Sequence, residues 1–159
     1  FALSDFEEYF ENNLDPLMME FVGGPNESRA AVWEKFLRSP AYWVLLGYGF
    51  WAVERKSDGR QIGQIGFGQF ERAIAPRLPD YPEMGWLFIS DAMGKGFGSE
   101  CLSAVLEWGD REIGGTFQCI ISPHNAASLA LATKFGFVEQ RRPDFNGEPI
   151  VVLERSESL

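Results

Sequence analysis

The stretch EMGWLFISDAMGKGFGSECL, Glu83 to Leu102, decides how this chain folds. Its first half is apolar and strand-like. Gly94, Gly96 and Gly98 then fall within five residues, and Cys101, Leu102 and Val105 open an apolar helical period. A strand that passes through glycines into a helix leaves the helix's first N–H groups without partners, at the positive end of its dipole. Phosphate is the expected guest. The letters exclude two kinds of phosphate loop. A P-loop needs Gly, four residues, then Gly-Lys-Ser/Thr, but Lys95 is followed by Gly96 and position 89 is Ile. A dinucleotide fingerprint needs GxGxxG at an early strand-helix turn, whereas these glycines alternate and lie late in the chain.

Outward from that stretch the period predicts the remaining elements. Downstream, GTFQCIIS (115–122) reads as a strand, NAASLALATKF (125–135) as a helix, and FVEQRR with PIVVLER as a closing strand pair around the turn FNGE. The helix after the glycines spans roughly residues 98–108. Upstream, FWAVERK and RQIGQIGFGQF flank SDG, a hairpin signal. ERAIAPRLPDYP carries three prolines and reads as a long loop. Ser4 with Glu7 predicts a capping box before a helix over 5–12, and Ser28 predicts the cap of a second helix that Pro40 stops after Leu37. The order is helix, helix, three strands, helix, strand, helix, two strands. The strand-helix-strand unit from Glu83 to Ser122 implies a parallel pair and the hairpins imply antiparallel ones, so the fold class is α/β with a mixed sheet.

Composition narrows the function. The 159 residues, with no repeat or linker, predict one domain, 1–159. Fourteen basic against 23 acidic residues give a formal charge of −9, the wrong sign for gripping nucleic acid through phosphates and better suited to a cationic partner. The most apolar charge-free stretch, Ser39 to Val53, is 15 residues broken by a proline and two glycines, too short for a spanning helix, so a soluble protein without a membrane role is expected. Cys101 and Cys119 show no metal-ligand spacing, which predicts reduced thiols, a cytoplasmic location and no metal. The chain begins with Phe rather than Met, and FALSDFEEYFENN lacks the basic region of a signal peptide; the expectation is a natural start further upstream.

EMGWLFISDAMGKGFGSECL followed by ISPHNAASLALATKFGF resembles the two central motifs of the GNAT (Gcn5-related) N-acetyltransferases, in the branch of the bacterial ribosomal-protein N-terminal (RimJ/RimL-like) acetyltransferases. Asn125, Ser128, Lys134, Gly136 and Phe137 match that branch's NxxS…KxGF pattern, and FWAVERKSDGRQIGQIGF is similar to its WAV…G…IG hairpin. The resemblance runs from about Asp5 to Leu153. It implies a three-layer α/β/α sandwich around a mixed, mostly antiparallel sheet with one central parallel strand pair. The branch's first strand would precede Asp5 and is not evident here.

The resemblance also implies acetyl-CoA as co-substrate, its pyrophosphate lying on the backbone amides of Met93, Gly94, Lys95, Gly96, Phe97 and Gly98, with Ser99 following. Met93 replaces the family's Gln or Arg. The pantetheine arm would pair with the strand at Trp86 to Ile89, Phe88 and Ile89 included, and Asn125 would hydrogen-bond it or a nearby backbone. Lys134 or Lys95 would meet the adenosine phosphates or stay solvated.

Acetyl transfer from a thioester to an amine needs the amine neutral, a donor for the developing oxyanion and a proton for the leaving thiolate. Glu83, heading the thioester strand, is the first candidate base, directly or through water. Asp144, in the turn before the last strand, is a second, and acidic residues there are often simple turn formers. The tyrosine that many family members use as acid falls at Ala132, which leaves Ser128, matching the serine this branch is thought to use near the thiolate. His124 reads as a helix-start residue and Cys101 as core rather than nucleophile. An α-amine of pKa about 8 costs roughly 1.4 kcal/mol to deprotonate at pH 7, against about 4.6 for lysine. With no unambiguous strong base, the expected acceptor is a protein or peptide N-terminal α-amine. A small amine (amino acid, polyamine or antibiotic) is the alternative, and a non-catalytic CoA-binding module is the alternative of another class. A monomer or homodimer is expected.

Overall fold

The computed structural model describes residues 1–24 and 28–156, which divide into two compact units. The first comprises Phe1–Gly66 and Trp86–Cys101, and the second Phe67–Gly85 and Leu102–Leu159.

In the first unit, helices α1 (Phe6–Asn12), α2 (Pro16–Met19) and α3 (Arg29–Leu46) precede strands β1 (Phe50–Glu54) and β2 (Gln61–Gly68), an antiparallel hairpin around SDG as its letters predict. Strand β3 (Glu83–Phe88) lies next to β2, and the Ile89 N–H continues that pairing onto Ile62 O at 3.0 Å. The capping box at Ser4 does not form. The Asp5 carboxylate turns back to accept the Ala2 N–H at 2.6 Å, and Glu7 pairs with Arg29 instead of the helix start, so α1 begins at Phe6. Ser28 does cap α3, its hydroxyl accepting the Ala31 N–H.

Pro40 does not end α3, which continues to Leu46 and stops at Gly47 with φ +78°. A proline inside a helix costs about 3 kcal/mol. Tertiary contacts offset it: Trp43 Nε1 donates to Phe50 O at 3.1 Å, and its ring meets Trp51 edge-on at 4.7 Å. The four-residue α2 has no counterpart in the periodic reading. It rests on Asp15, which accepts the Leu17 and Met18 N–H groups at 3.0 and 3.1 Å with Pro16 in the first helical position. Two apolar clusters hold the unit together, Phe6, Tyr9, Val32 and Phe36 in one and Met18, Met19, Ile62, Ile89 and Ala92 in the other.

In the second unit the sheet order is β3, β4 (Thr116–Ile121), β8 (Val151–Ser156), β5 (Val138–Arg141). β3 and β4 are parallel, with Glu83 level with Gln118, and the other pairs are antiparallel, as the predicted mixed sheet requires. A parallel pair needs a crossover, supplied by helix α4 (Phe97–Glu112), which runs a turn beyond the predicted end through Gly109. Helix α5 (Ala126–Lys134) follows β4, and β6 (Asp144–Phe145) and β7 (Glu148–Pro149) form a two-stranded ladder around the predicted FNGE turn. Phe67 and Phe117 are fully buried with ring centroids 4.7 Å apart, each contributing about 1.5–3 kcal/mol. No helix among the described residues is long and apolar enough to cross a membrane.

Candidate active site

The glycine turn belongs to the first unit. After β3 a 3-10 turn, Ser90–Ala92, leads into residues 93–96, and α4 starts at Phe97. Gly94 and Gly96 take φ +70° and +88°, a region that side-chain-bearing residues rarely adopt, and nothing lies within 4 Å of where a Cβ would stand. Gly98 differs, sitting inside the first turn of α4 with ordinary helical backbone. The turn is therefore open on the Cβ side of both glycines and leads into a 16-residue helix, whose first N–H groups suit a pyrophosphate.

Packing fixes the turn on both sides. Ile89 and Ala92 are buried, and Phe88 and Phe97 pack against the same cluster; against the expectation that Ile89 pairs with a ligand, its N–H is taken by Ile62 O at 3.0 Å and its carbonyl by the Ala92 N–H at 2.9 Å. Asp15 Oδ2 accepts both the Ser90 N–H and hydroxyl, at 2.8 and 2.7 Å. The Lys95 ammonium lies 2.8 Å from Asp91, which also takes Arg55 at 2.8 Å. Those two cations hold the Asp91 carboxyl at about 2. Met93 is exposed and Ser99 half-buried.

The second unit holds the candidate acid-base groups. Glu83 is buried, and its carboxylate accepts the Arg72 Nε–H at 3.2 and 3.0 Å and an Nη2–H at 2.7 Å. The Arg72 guanidinium lies 4.7 Å from the Phe70 ring centroid and 5.7 Å from that of Phe145. Arg72 is the residue sequence reasoning missed; its only signal was a cation in the proline-rich loop. That loop and Gln118 surround a shallow, open pocket. Gln118 donates its side-chain N–H groups to Pro79 O and Tyr81 O, at 3.2 and 2.9 Å.

Asp144 is exposed and accepts the Gly147 N–H at 2.9 Å, the geometry of a turn former, with Asn146 and Gly147 both at positive φ. Its neighbour Phe145, rather than its own carboxylate, reaches Arg72. Asn125 caps α5, its oxygen accepting the Ser128 N–H at 3.0 Å, so the two residues of the second motif are joined by one hydrogen bond. Ser128 is half-buried and His124 exposed just before the cap. Lys134 lies 5.6 Å from the Phe135 ring centroid. Both thiols are free; burial pushes Cys119 far above the ordinary range, and burial with Glu100 raises Cys101, which makes both poor nucleophiles. Among the described residues no group of three His, Cys, Asp or Glu is placed to hold a metal ion.

Residues 1–138 match the family described as acetyltransferase (GNAT) domain, and the chain belongs to that family. It is 32% identical over 116 residues to YkkB, an uncharacterized protein of Bacillus subtilis, a match covering 69% of this chain and 63% of that protein, so the chain spans less than two thirds of that relative's length. A solved structure from Bordetella pertussis, described as a GnaT-family acetyltransferase, superposes with a TM-score of 0.86 at 24% identity, covering 98% of this chain and 92% of that one. A Brucella melitensis structure described as ribosomal-protein-alanine N-acetyltransferase gives 0.76 at 19%, covering 99% and 97%.

Proposed function

We propose that this chain is a single acetyltransferase domain that moves the acetyl group of acetyl-CoA onto a primary amine, foremost a protein or peptide N-terminal α-amine. The observation that carries the reading is the pair Gly94 and Gly96, whose positive φ values shape a turn that is open on their Cβ side and leads into α4. Bound there, acetyl-CoA supplies the activated acyl thioester. The chain's own residues supply the rest. Backbone amides of Gly94 to Gly98 with Ser99 hold the pyrophosphate, and the backbone of Phe88 pairs with the pantetheine; the Met93 and Ile89 N–H groups are held by Ser90 O and Ile62 O and position the turn instead. The Asn125 amide nitrogen, left over from capping, donates to the same arm.

Deprotonation of the amine falls to Glu83. Arg72 already occupies three hydrogen-bond positions on its carboxylate, so a water relays the proton. The Ser128 hydroxyl donates a hydrogen bond to the departing thiolate, which takes up the proton that the amine has given to the water beside Glu83. Asp144, engaged in its own turn, stays on the acceptor side as a weaker second base. The RimJ/RimL-like branch is the finer reading, supported by the NxxS…KxGF pattern; the Brucella likeness adds fold and not substrate. Free thiols suit the cytoplasm, and the protein works there as monomer or homodimer without a metal.

The test is CoA release from acetyl-CoA against a panel of N-terminal peptides and small amines. Turnover on peptides, reduced by a factor of about 10² or more in Glu83→Gln and Ser128→Ala, supports the reading. Turnover on small amines alone moves the acceptor to that class. Tight acetyl-CoA binding without turnover sinks the enzyme and leaves a CoA-binding module.

A further inference from the structure

The pocket beside Glu83 contains one cation with donors to spare and one buried acceptor with no partner. Of the five N–H groups of Arg72, two bond Glu83, and the remaining three, one on Nη2 and both on Nη1, bond nothing among the described residues. The side chain is 28% exposed into the pocket it lines, and its plane is held by Phe70 and Phe145. Arg77, the pocket's other cation, is taken by Glu71 and Asp80 at 3.4 and 2.9 Å. Gln118 is 4% exposed; two backbone carbonyls fix its amide through the nitrogen, and its Oε1 is buried without a partner among the described residues. Such an atom is uncommon in a native protein and calls for a partner.

We propose that Arg72 and Gln118 recognise an acceptor whose reacting amine neighbours a carbonyl group, as in a peptide N-terminus or a free amino acid. The carbonyl oxygen takes the spare N–H groups of Arg72, a planar donor fork suited to that oxygen, and an N–H of the acceptor goes to Gln118 Oε1. Glu83, level with Gln118 on the neighbouring strand, fixes the Arg72 guanidinium through its Nε–H and one Nη2–H. A simple alkylamine has the N–H and lacks the carbonyl, so it uses half of the site. This inference rests on the acetyltransferase reading and narrows its substrate class.

The experiment compares kcat/KM, per neutral amine, for alanyl-alaninamide, free alanine and n-propylamine at saturating acetyl-CoA, in wild type, Arg72→Lys and Gln118→Leu. Arg72→Lys keeps a positive charge against Glu83, so the fold persists while the fork is lost. In each variant the preference for alanyl-alaninamide over n-propylamine falls about tenfold or more. Equal losses on both acceptors overturn the proposal and leave Arg72 a structural residue. Free alanine separates the two sources: if it ranks above the dipeptide the acceptor is an amino acid, otherwise a peptide, and both outcomes keep the carbonyl rule. Should no amine be acetylated, the acetyltransferase reading fails by itself. The inference is then decided by titrating alanyl-alaninamide into CoA-bound wild type and following the Arg72 Nε–H resonance: a saturable shift absent in Gln118→Leu supports it, and an unmoved resonance overturns it.

Discussion

Arg72 and Glu83, eleven residues apart, close a bidentate ion pair in which Nη2 lies 2.7 Å from Oε1 and Nε 3.0 Å from Oε2. The carboxylate is 8% exposed, so its charge is compensated almost entirely by this one guanidinium. Removing Arg72 leaves an uncompensated buried charge. Arg72→Met is expected to lower unfolding stability by about 2–3 kcal/mol, toward the lower end for broken buried pairs because the arginine itself is partly solvated. The double variant Arg72→Met with Glu83→Met should recover most of the loss. Urea unfolding of the three variants checks this, and a double variant no better than the single one would refute it.

The glycines separate two physical reasons for the same residue. At Gly66 a Cβ would stand 2.1 Å from Gly49 O, a backbone atom that cannot move aside, and at Gly96 it would meet nothing within 4 Å but would sit at φ +88°. Gly66→Ala is therefore expected to cost more than about 2 kcal/mol of stability. Gly96→Ala should cost only about 1–2 kcal/mol from the left-handed backbone. Yet Gly96→Ala should weaken CoA binding more than about tenfold, because a shifted turn misplaces its amides. Calorimetric titration with CoA beside denaturant melts tests both, and full CoA affinity in Gly96→Ala would reduce the turn to a joint between strand and helix.

Asp91 gives the turn a pH signature. Lys95 first and Arg55 second hold its carboxyl down at about 2, from an ordinary value of 3.8. A depressed carboxylate contributes stability that is complete above pH 3.8 and is lost as pH falls through 2. The advantage of wild type over Asp91→Asn should follow that window and shrink in about 1 M salt, since all three side chains meet solvent and are screened. Carboxyl NMR titration locates the midpoint. A midpoint near 3.8 would mean that Lys95 and Arg55 are not held there in solution.

Periodicity and turn chemistry exposed most of the architecture because they are local. The strand, glycine turn and helix at 83–102, the SDG hairpin and the Asn-led helix each announce themselves within a dozen residues. Where particular side-chain contacts decide, the letters mislead. Pro40 reads as a stop, and only the packing of Trp43 on Trp51 carries the helix past it. Ser4 reads as a cap, and its hydroxyl donates to the Asp5 carboxylate at 3.3 Å instead. The site divides in the same way. Glu83, Asn125 and the glycines stand in ordered motifs, whereas Arg72 lies in an irregular loop, and its meaning depends on Glu83, Phe70 and Phe145 meeting around it.

The proposed function gives Asn125 a second job beside the one it has in the fold, and one substitution can separate them. Its oxygen caps α5 through the Ser128 N–H at 3.0 Å, and the proposal assigns its amide nitrogen to the cofactor. Aspartate caps a helix as well as asparagine does but has no N–H to donate. Asn125→Asp should therefore keep the melting behaviour of wild type while losing about tenfold in acetyl-CoA affinity, and Asn125→Ala should lose both, with about 1 kcal/mol of stability gone from the missing cap. A further separation follows from Ser128, whose N–H is the group being capped. Because Asn125→Asp leaves that bond in place, the Ser128 hydroxyl stays positioned and kcat at saturating acetyl-CoA should hold, so the defect appears in KM. Asn125→Ala frees the first turn of α5 and should lower kcat as well. If Asn125→Asp binds acetyl-CoA as tightly as wild type, the asparagine is a cap alone and the pantetheine finds its donor elsewhere.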